Sequence, residues 1–290
     1  MRHAWGWVWV AVFCLLAHPV LAQDSRAPEI ASMERLCAQL ATVVPQGQGK
    51  VGLSLTDLTT GCTIGIRDTD PVNPASVIKV PVMVEAYIQA SHGRFRFSDK
   101  LVLKASHKVW GAGPLYAQRV GQGFTVQYLV ECMIHFSDNT ATKMLVDYLG
   151  KENINRSMKR LGLQHTVIGN GDLLKAEGQN FSTPRDMNVL LVKIAKGQVV
   201  SPKACREMLS ILALQKYRWG IPKPVSQDVL VANKTGTLNG KKHDCGIVFL
   251  RGSPYVLSVF TTDFKSVFTA MHIVSQVSEI TYTWALARAL

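Results

Sequence analysis

Three short strings carry residues able to do chemistry together: Ser76-Val77-Ile78-Lys79, then Ser137-Asp138-Asn139, then Lys234-Thr235-Gly236. An ordinary serine hydroxyl is a poor nucleophile and needs a neighbouring base. Lys79 lies three positions beyond Ser76, which on a helix puts both side chains on one face. Ser137 and Asn139 add a second hydroxyl for proton relay and an amide to hold a substrate amide, and Lys234 adds positive charge for a substrate carboxylate. Each string alone occurs by chance. Ser137 follows Ser76 by 61 residues and Lys234 follows Ser137 by 97, and this order and spacing carry the weight.

The trio resembles the motif set of class A β-lactamases and penicillin-binding proteins. The likeness runs from about Lys50 to the C-terminus, with spacings closer to the class A enzymes than to the larger penicillin-binding proteins. It implies an acyl-serine mechanism without cofactor or metal, with Ser76, Lys79 and Ser137 catalytic and with Asn139, Lys234, Thr235, Gly236 and Thr237 binding substrate. The backbone N–H groups of Ser76 and Thr237 are the implied oxyanion donors. Trp110, in a loop that lines the cleft of such enzymes, is a further candidate contact, and Arg218 a candidate second cation. The implied substrate is a small-molecule β-lactam or a cell-wall peptide.

One part departs from that pattern. Counting from Leu161-Gly162 puts Asp172 where a class A enzyme carries the glutamate that activates the deacylating water, in an Ω loop about five residues shorter. Asp172 has one methylene fewer, a loss of reach of about 1.5 Å. Glu177 is an alternative base, with Asn180 able to orient the water, and the further alternative is that these are solvated loop residues and neither acid serves. A wall-directed serine peptidase, amidase or esterase that releases penicillin slowly is therefore the competing expectation, and a non-catalytic penicillin-binding sensor is a third.

The elements that must position these residues can be read from apolar spacing. Residues 30–43 read as a helix, and 51–57 and 63–67 as strands around a Thr60-Gly61 turn. Helices are expected over 76–89, 126–136, 139–149, 154–161, 184–195 and 202–212. Strands are expected over 229–234, 245–250 and 255–262, followed by a C-terminal helix. The reading is an α/β (α+β) chain: a five-stranded antiparallel sheet flanked by helices, with an all-helical lobe inserted. Residues 23–70 and 202–290 form the first lobe and 71–201 the second. Asn73-Pro74 starts the helix bearing Ser76, and Pro81 predicts a kink one turn on, unless the helix starts late enough to put Pro81 in its first turn. Asp138 reads as a turn or cap residue, and His243-Asp244, past a Leu238-Asn239-Gly240 hairpin turn, as a surface pair, the alternative being that it faces the cleft and helps to select substrate.

At the N-terminus, Arg2 and His3 precede an apolar run over 4–16, too short to span a bilayer, and Val20-Leu21-Ala22 fits a signal-peptidase site. Residues 1–22 are thus expected to be a leader, with a secreted or periplasmic chain beginning at Gln23; an uncleaved anchor is the alternative. The remainder shows no repeat and no second membrane-length run. Its formal charge of +12 with the leader suits anionic wall polymers or plain solvation, and nothing resembling a nucleic-acid module accompanies it. A monomer without nucleic-acid or stable membrane partners is expected. Five cysteines follow the leader (Cys37, Cys62, Cys132, Cys205 and Cys245), without zinc-site spacing, and read as buried thiols.

Overall fold

The computed structural model describes residues 11–13, 23–43, 47, 49–169 and 180–289. Its frame is an antiparallel sheet of β2 (Lys50–Asp57), β3 (Thr63–Ile66), β6 (Val231–Leu238), β7 (Lys241–Val248) and β8 (Tyr255–Thr262), in the order β3-β2-β8-β7-β6. This is the five-stranded sheet read from the sequence. A three-residue strand, β1 (Ala11–Phe13), from the expected leader pairs with the outer edge of β3. A separate two-stranded ribbon, β4 (Lys100–Val102) with β5 (Gly123–Thr125), was not foreseen, being too short for a periodic signal.

Alternation along the strands divides the core. In β8, Tyr255, Leu257 and Val259 pack under α1 (Gln23–Val43) and α8 (Val267–Ala289), while Val256 and Phe260 face the helical block. Each fully buried aliphatic side chain contributes about 1.5–3 kcal/mol, so the two faces fix strand register firmly. The helical block contains α2 (Lys79–Ser91), α3 (Val126–His135), α4 (Asn139–Leu149), α5 (Lys151–Arg160), α6 (Pro184–Ala195) and α7 (Pro202–Ala213). Thr125, Asp138, Thr183 and Ser201 cap α3, α4, α6 and α7 through side-chain oxygens, and Pro184 and Pro202 open their helices. Asn188 ties α6 to the sheet, donating to the carbonyls of Ser54 (2.9 Å) and Val256 (3.1 Å) and accepting from Thr56 (2.6 Å).

The expected kink at Pro81 is not required. A 3-10 turn over Ala75–Ile78 precedes α2, so Pro81 falls in the first turn of α2, where the N–H it lacks would have had no intrahelical partner.

Where β6 passes the 3-10 turn, only glycine fits. A Cβ on Gly236 would stand 2.7 Å from the Pro74 carbonyl and 3.2 Å from the Ala75 Cβ, both beside Ser76. Gly236→Ala is expected to cost about 1–3 kcal/mol by overpacking, seen as a Tm lower by about 2–10 °C in calorimetry.

Candidate active site

Ser76 sits in the 3-10 turn, half-buried at the floor of a cavity of about 460 Å3. Ser137, Asn139, Thr235 and Thr237 line the same cavity, with Gly111 and Ala112 opposite the β6 edge. Lys79 and Lys234 lie beneath it, fully buried. Lys79 Nζ is 2.6 Å from the Ser137 carbonyl, 3.0 Å from Ser137 Oγ and 2.9 Å from Asn139 Oδ1. Lys234 Nζ donates to the same Ser137 Oγ at 3.1 Å and to the Thr235 carbonyl at 2.9 Å. One hydroxyl thus bridges two lysine side chains.

Two backbone residues hold this geometry in the left-handed region: Ser137 at φ 56° and Ala75 at φ 49°. Such conformations cost about 1–3 kcal/mol each and persist where the surroundings impose them. Asp138 imposes the first. It is fully buried and accepts from Ala141 N and Leu115 N, both at 2.7 Å, tying α4 to the loop that carries Gly111 and Ala112.

Burial governs the charges. Desolvation, with the positive charge of Lys234 nearby, holds the Lys79 amine well below its ordinary value, and the Asp138 carboxylate only partly opposes this. Lys234 is lowered to about 7 by desolvation, against the pull of Asp244 and Cys245. Burial and the like charge beside it thus push Lys79 toward its neutral form. As a free amine it offers a lone pair, and the Ser137 hydroxyl, receiving the Lys234 proton donor, is placed to donate to it.

The other sequence candidates divide. The Trp110 side chain is 80% exposed and does not line the cavity; its carbonyl accepts from Asn139 Nδ2 at 3.2 Å. Asp172 and Glu177 lie outside the described residues. Asn180 is buried and accepts from Gly169 N at 3.0 Å, which, with the Val167–Phe181 bridge, joins the two ends of the shortened loop. His243 and Asp244 are not a surface pair: both are fully buried, because β7 is covered on both faces. His243 Nδ1 accepts from Thr261 N, which leaves Nε2–H to donate to the Asn73 carbonyl at 3.0 Å, just before the Ser76 turn. Burial lowers its imidazole to about 4, so it is neutral in this role.

Sequence reasoning missed the wall formed by Tyr217, Trp219, Leu238 and Lys242. Arg218 does not line the cavity, although both its neighbours do. The second cation is Lys242, paired with Thr237 across the hairpin, with Nζ 3.3 Å from Thr237 Oγ1 and 5.2 Å from the Trp219 ring centre. The two-residue Asn239-Gly240 turn sets that register and was the available signal.

A serine at a helix start, with buried lysines and a bridging hydroxyl in this α+β frame, defines a serine hydrolase that works through an acyl-enzyme. Residues 35–285 match the model of the Beta-lactamase enzyme family, and the chain belongs to that family. A β-lactamase of Rhodobacter capsulatus is 24% identical over 239 residues, covering 80% of this chain and 81% of that protein. Among solved structures, PBP-A is 27% identical with a TM-score of 0.82, covering 86% of this chain and 95% of that one. An ancestral class A β-lactamase, 23% identical, shares the fold at a TM-score of 0.80 over 86% of this chain and 99% of its own.

Proposed function

We propose that this serine hydrolase is a secreted class A-like β-lactamase. The observation that carries the reading is the meeting of Lys79 and Lys234 on Ser137 Oγ beside Ser76, within one cavity. Neutral Lys79 takes the Ser76 proton as Oγ attacks the lactam carbonyl, and the N–H groups of Ser76 and Thr237 stabilise the tetrahedral oxyanion. The proton passes from Lys79 to Ser137 and on to the departing nitrogen. Lys234 and Thr235 receive the substrate carboxylate, and Asn139 the side-chain amide. Hydrolysis of the acyl-serine falls to a water activated by Asp172, with Glu177 the alternative.

Lys242 adds a second positive charge to the carboxylate end, held over Trp219. Lys242→Ala is expected to raise KM about tenfold, the equivalent of about 1.4 kcal/mol, with kcat little changed. Steady-state kinetics with a penicillin would measure it. A fall in kcat at constant KM would place Lys242 outside ground-state binding.

The second reading, a penicillin-binding wall peptidase, amidase or esterase, is favoured by the likeness to PBP-A, one mutant of which is described as an acyl-enzyme with penicillin G, and by the absence of a glutamate at the counted Ω-loop position. Incubation with a chromogenic cephalosporin, following product and intact mass together, separates the two. Rapid turnover supports the lactamase, whereas a lasting adduct on Ser76 supports the wall enzyme. With turnover established, Asp172→Asn is expected to slow deacylation at least about 100-fold and let the adduct accumulate. Normal turnover in that variant would remove Asp172 from the mechanism.

The exported form is read as a monomer beginning at Gln23, with 23–70 and 202–290 as one lobe and 71–201 as the other. No helix among the described residues is long and apolar enough to cross a membrane. Intact mass of protein recovered outside the cytoplasm checks the cleavage after Ala22.

A further inference from the structure

Asp244 is the buried ionisable group that the mechanism above leaves without a task. It occupies the middle of β7, opposite Thr235 in β6, and is fully buried. A carboxylate in such a place is costly unless something compensates it. Its Oδ2 accepts from Ile221 N at 2.7 Å and its Oδ1 from Asn233 Nδ2 at 2.9 Å, and the Cys245 backbone N–H and the more distant charge of Lys234 favour its anion as well.

The first contact reaches out of the sheet to the segment that carries Tyr217 and Trp219. That segment is fitted closely against the carboxylate: a Cβ on Gly220 would stand 2.3 Å from Asp244 Oδ2. The far side of Ile221 is held as well, its carbonyl accepting from Ser278 Oγ of α8 at 2.8 Å. Ile221 itself is fully buried. The peptide groups next to the Trp219 wall are therefore fixed by one anion below and one hydroxyl behind.

The second contact lies within the sheet, on the face opposite the one from which Lys234 reaches Ser137. Asn233 precedes Lys234 in β6, and its Oδ1 has no hydrogen-bond partner among the described residues, so its side chain is oriented by the Asp244 contact.

We propose that Asp244 is a positioning residue: its carboxylate straps segment 217–221 to the β6–β7 hairpin and so sets the Tyr217–Trp219 wall of the cavity. The strap stands without the β-lactam reading, and its effect on substrate rests on that reading. Its own acidity is consistent with the role. Burial raises the carboxyl to about 6, and the hydrogen bonds from Asn233 and Ile221 and the charge of Lys234 hold it from rising further. Above that pH it is the required anion.

Asp244→Asn removes the charge while preserving shape, and sets an amide N–H or a weaker acceptor against Ile221 N. Hydrogen exchange at the Ile221 amide is expected to accelerate at least about tenfold relative to neighbouring sheet amides. With benzylpenicillin, the KM for Ser76 acylation, followed by intact mass, is expected to rise about threefold or more with kcat little changed, because the wall shifts while the reacting groups stay. Ser278→Ala leaves the carboxylate in place and guards against a misfolded Asp244→Asn: releasing the Ile221 carbonyl is expected to speed Ile221 exchange and raise KM in the same direction.

Ile221 exchange unchanged in Asp244→Asn overturns the strap. Faster exchange and a lower Tm with an unchanged KM overturn the placing of the wall by Asp244. Failure of the wild-type protein to acylate would sink the β-lactam reading alone, since exchange needs no substrate.

Discussion

Ser76→Ala is expected to form no covalent adduct with a penicillin and to lose at least about 10^3-fold in kcat/KM, as removal of a nucleophile that acts with its base as a unit does elsewhere. The reason is local. Lys79, Ser137 and Lys234 hold one another through Ser137 Oγ and do not depend on the Ser76 hydroxyl for their geometry. The variant should therefore keep the cavity, the two lysines and non-covalent binding while lacking the atom that attacks. Intact-protein mass after incubation gives the first readout, and calorimetry the control. Ser76 is half-buried, so the substitution should change stability by no more than about 0.5 kcal/mol. An adduct that persisted in Ser76→Ala would assign the nucleophile elsewhere.

The framework around that serine was legible because it rests on regular periodicities. The helices 139–149 and 184–195 fell where apolar spacing put them, the first behind the expected cap Asp138, and strand 255–262 where alternation and a buried run did. The strands β6 and β7 were read too short, because Thr235, Lys242 and Asp244 look polar and loop-like. In the fold they are strand residues, the Asp244 carboxylate accepting from Asn233 and Lys242 lying beside Thr237.

The site was legible in its motifs and illegible in its wall. Ser76, Ser137 and Lys234 converge as their spacing implied. Tyr217, Trp219 and Lys242 could be assigned only once the hairpin register and the path of segment 217–221 were known, and both depend on long-range contacts with Asp244 and α8. His243 was misread for the same reason. A polar pair after a turn looks exposed until the strand beneath it proves to be covered, where a neutral imidazole satisfies Thr261 N and the Asn73 carbonyl. The Trp110 loop meets the cavity through Gly111 and Ala112, with the Trp110 side chain exposed beside them.

Lys79→Met is expected to uncouple activity from stability. Loss of the base should reduce acylation about 10^2- to 10^4-fold, with Ser76 still present but unable to shed its proton. Stability should move the other way. The wild-type lysine is fully buried and its amine is held well below the ordinary value, chiefly by desolvation. Between that lowered value and the unfolded one near 10.4, the unfolded chain binds more protons, so folding is penalised at neutral pH and relieved as the pH rises. Methionine fills nearly the same volume without the penalty, and replacement of buried charge by apolar groups has been neutral or stabilising by about 1–4 kcal/mol. Against this stand the lost contacts to the Ser137 carbonyl and Asn139 Oδ1, each worth about 1 kcal/mol net. Because both acceptors border the open cavity, water can replace the amine there. The balance is a gain of about 1 kcal/mol, or a Tm higher by about 2–4 °C, and it should shrink as the assay pH is raised toward 10. The wild-type pH profile supplies the matching kinetic sign: acylation rises with pH as Lys79 loses its proton, and Lys79→Met lacks that acid limb. A Tm lowered by several degrees with the limb intact would mean that Lys79 is a paired cation in the folded enzyme, and the base would have to be sought in another residue.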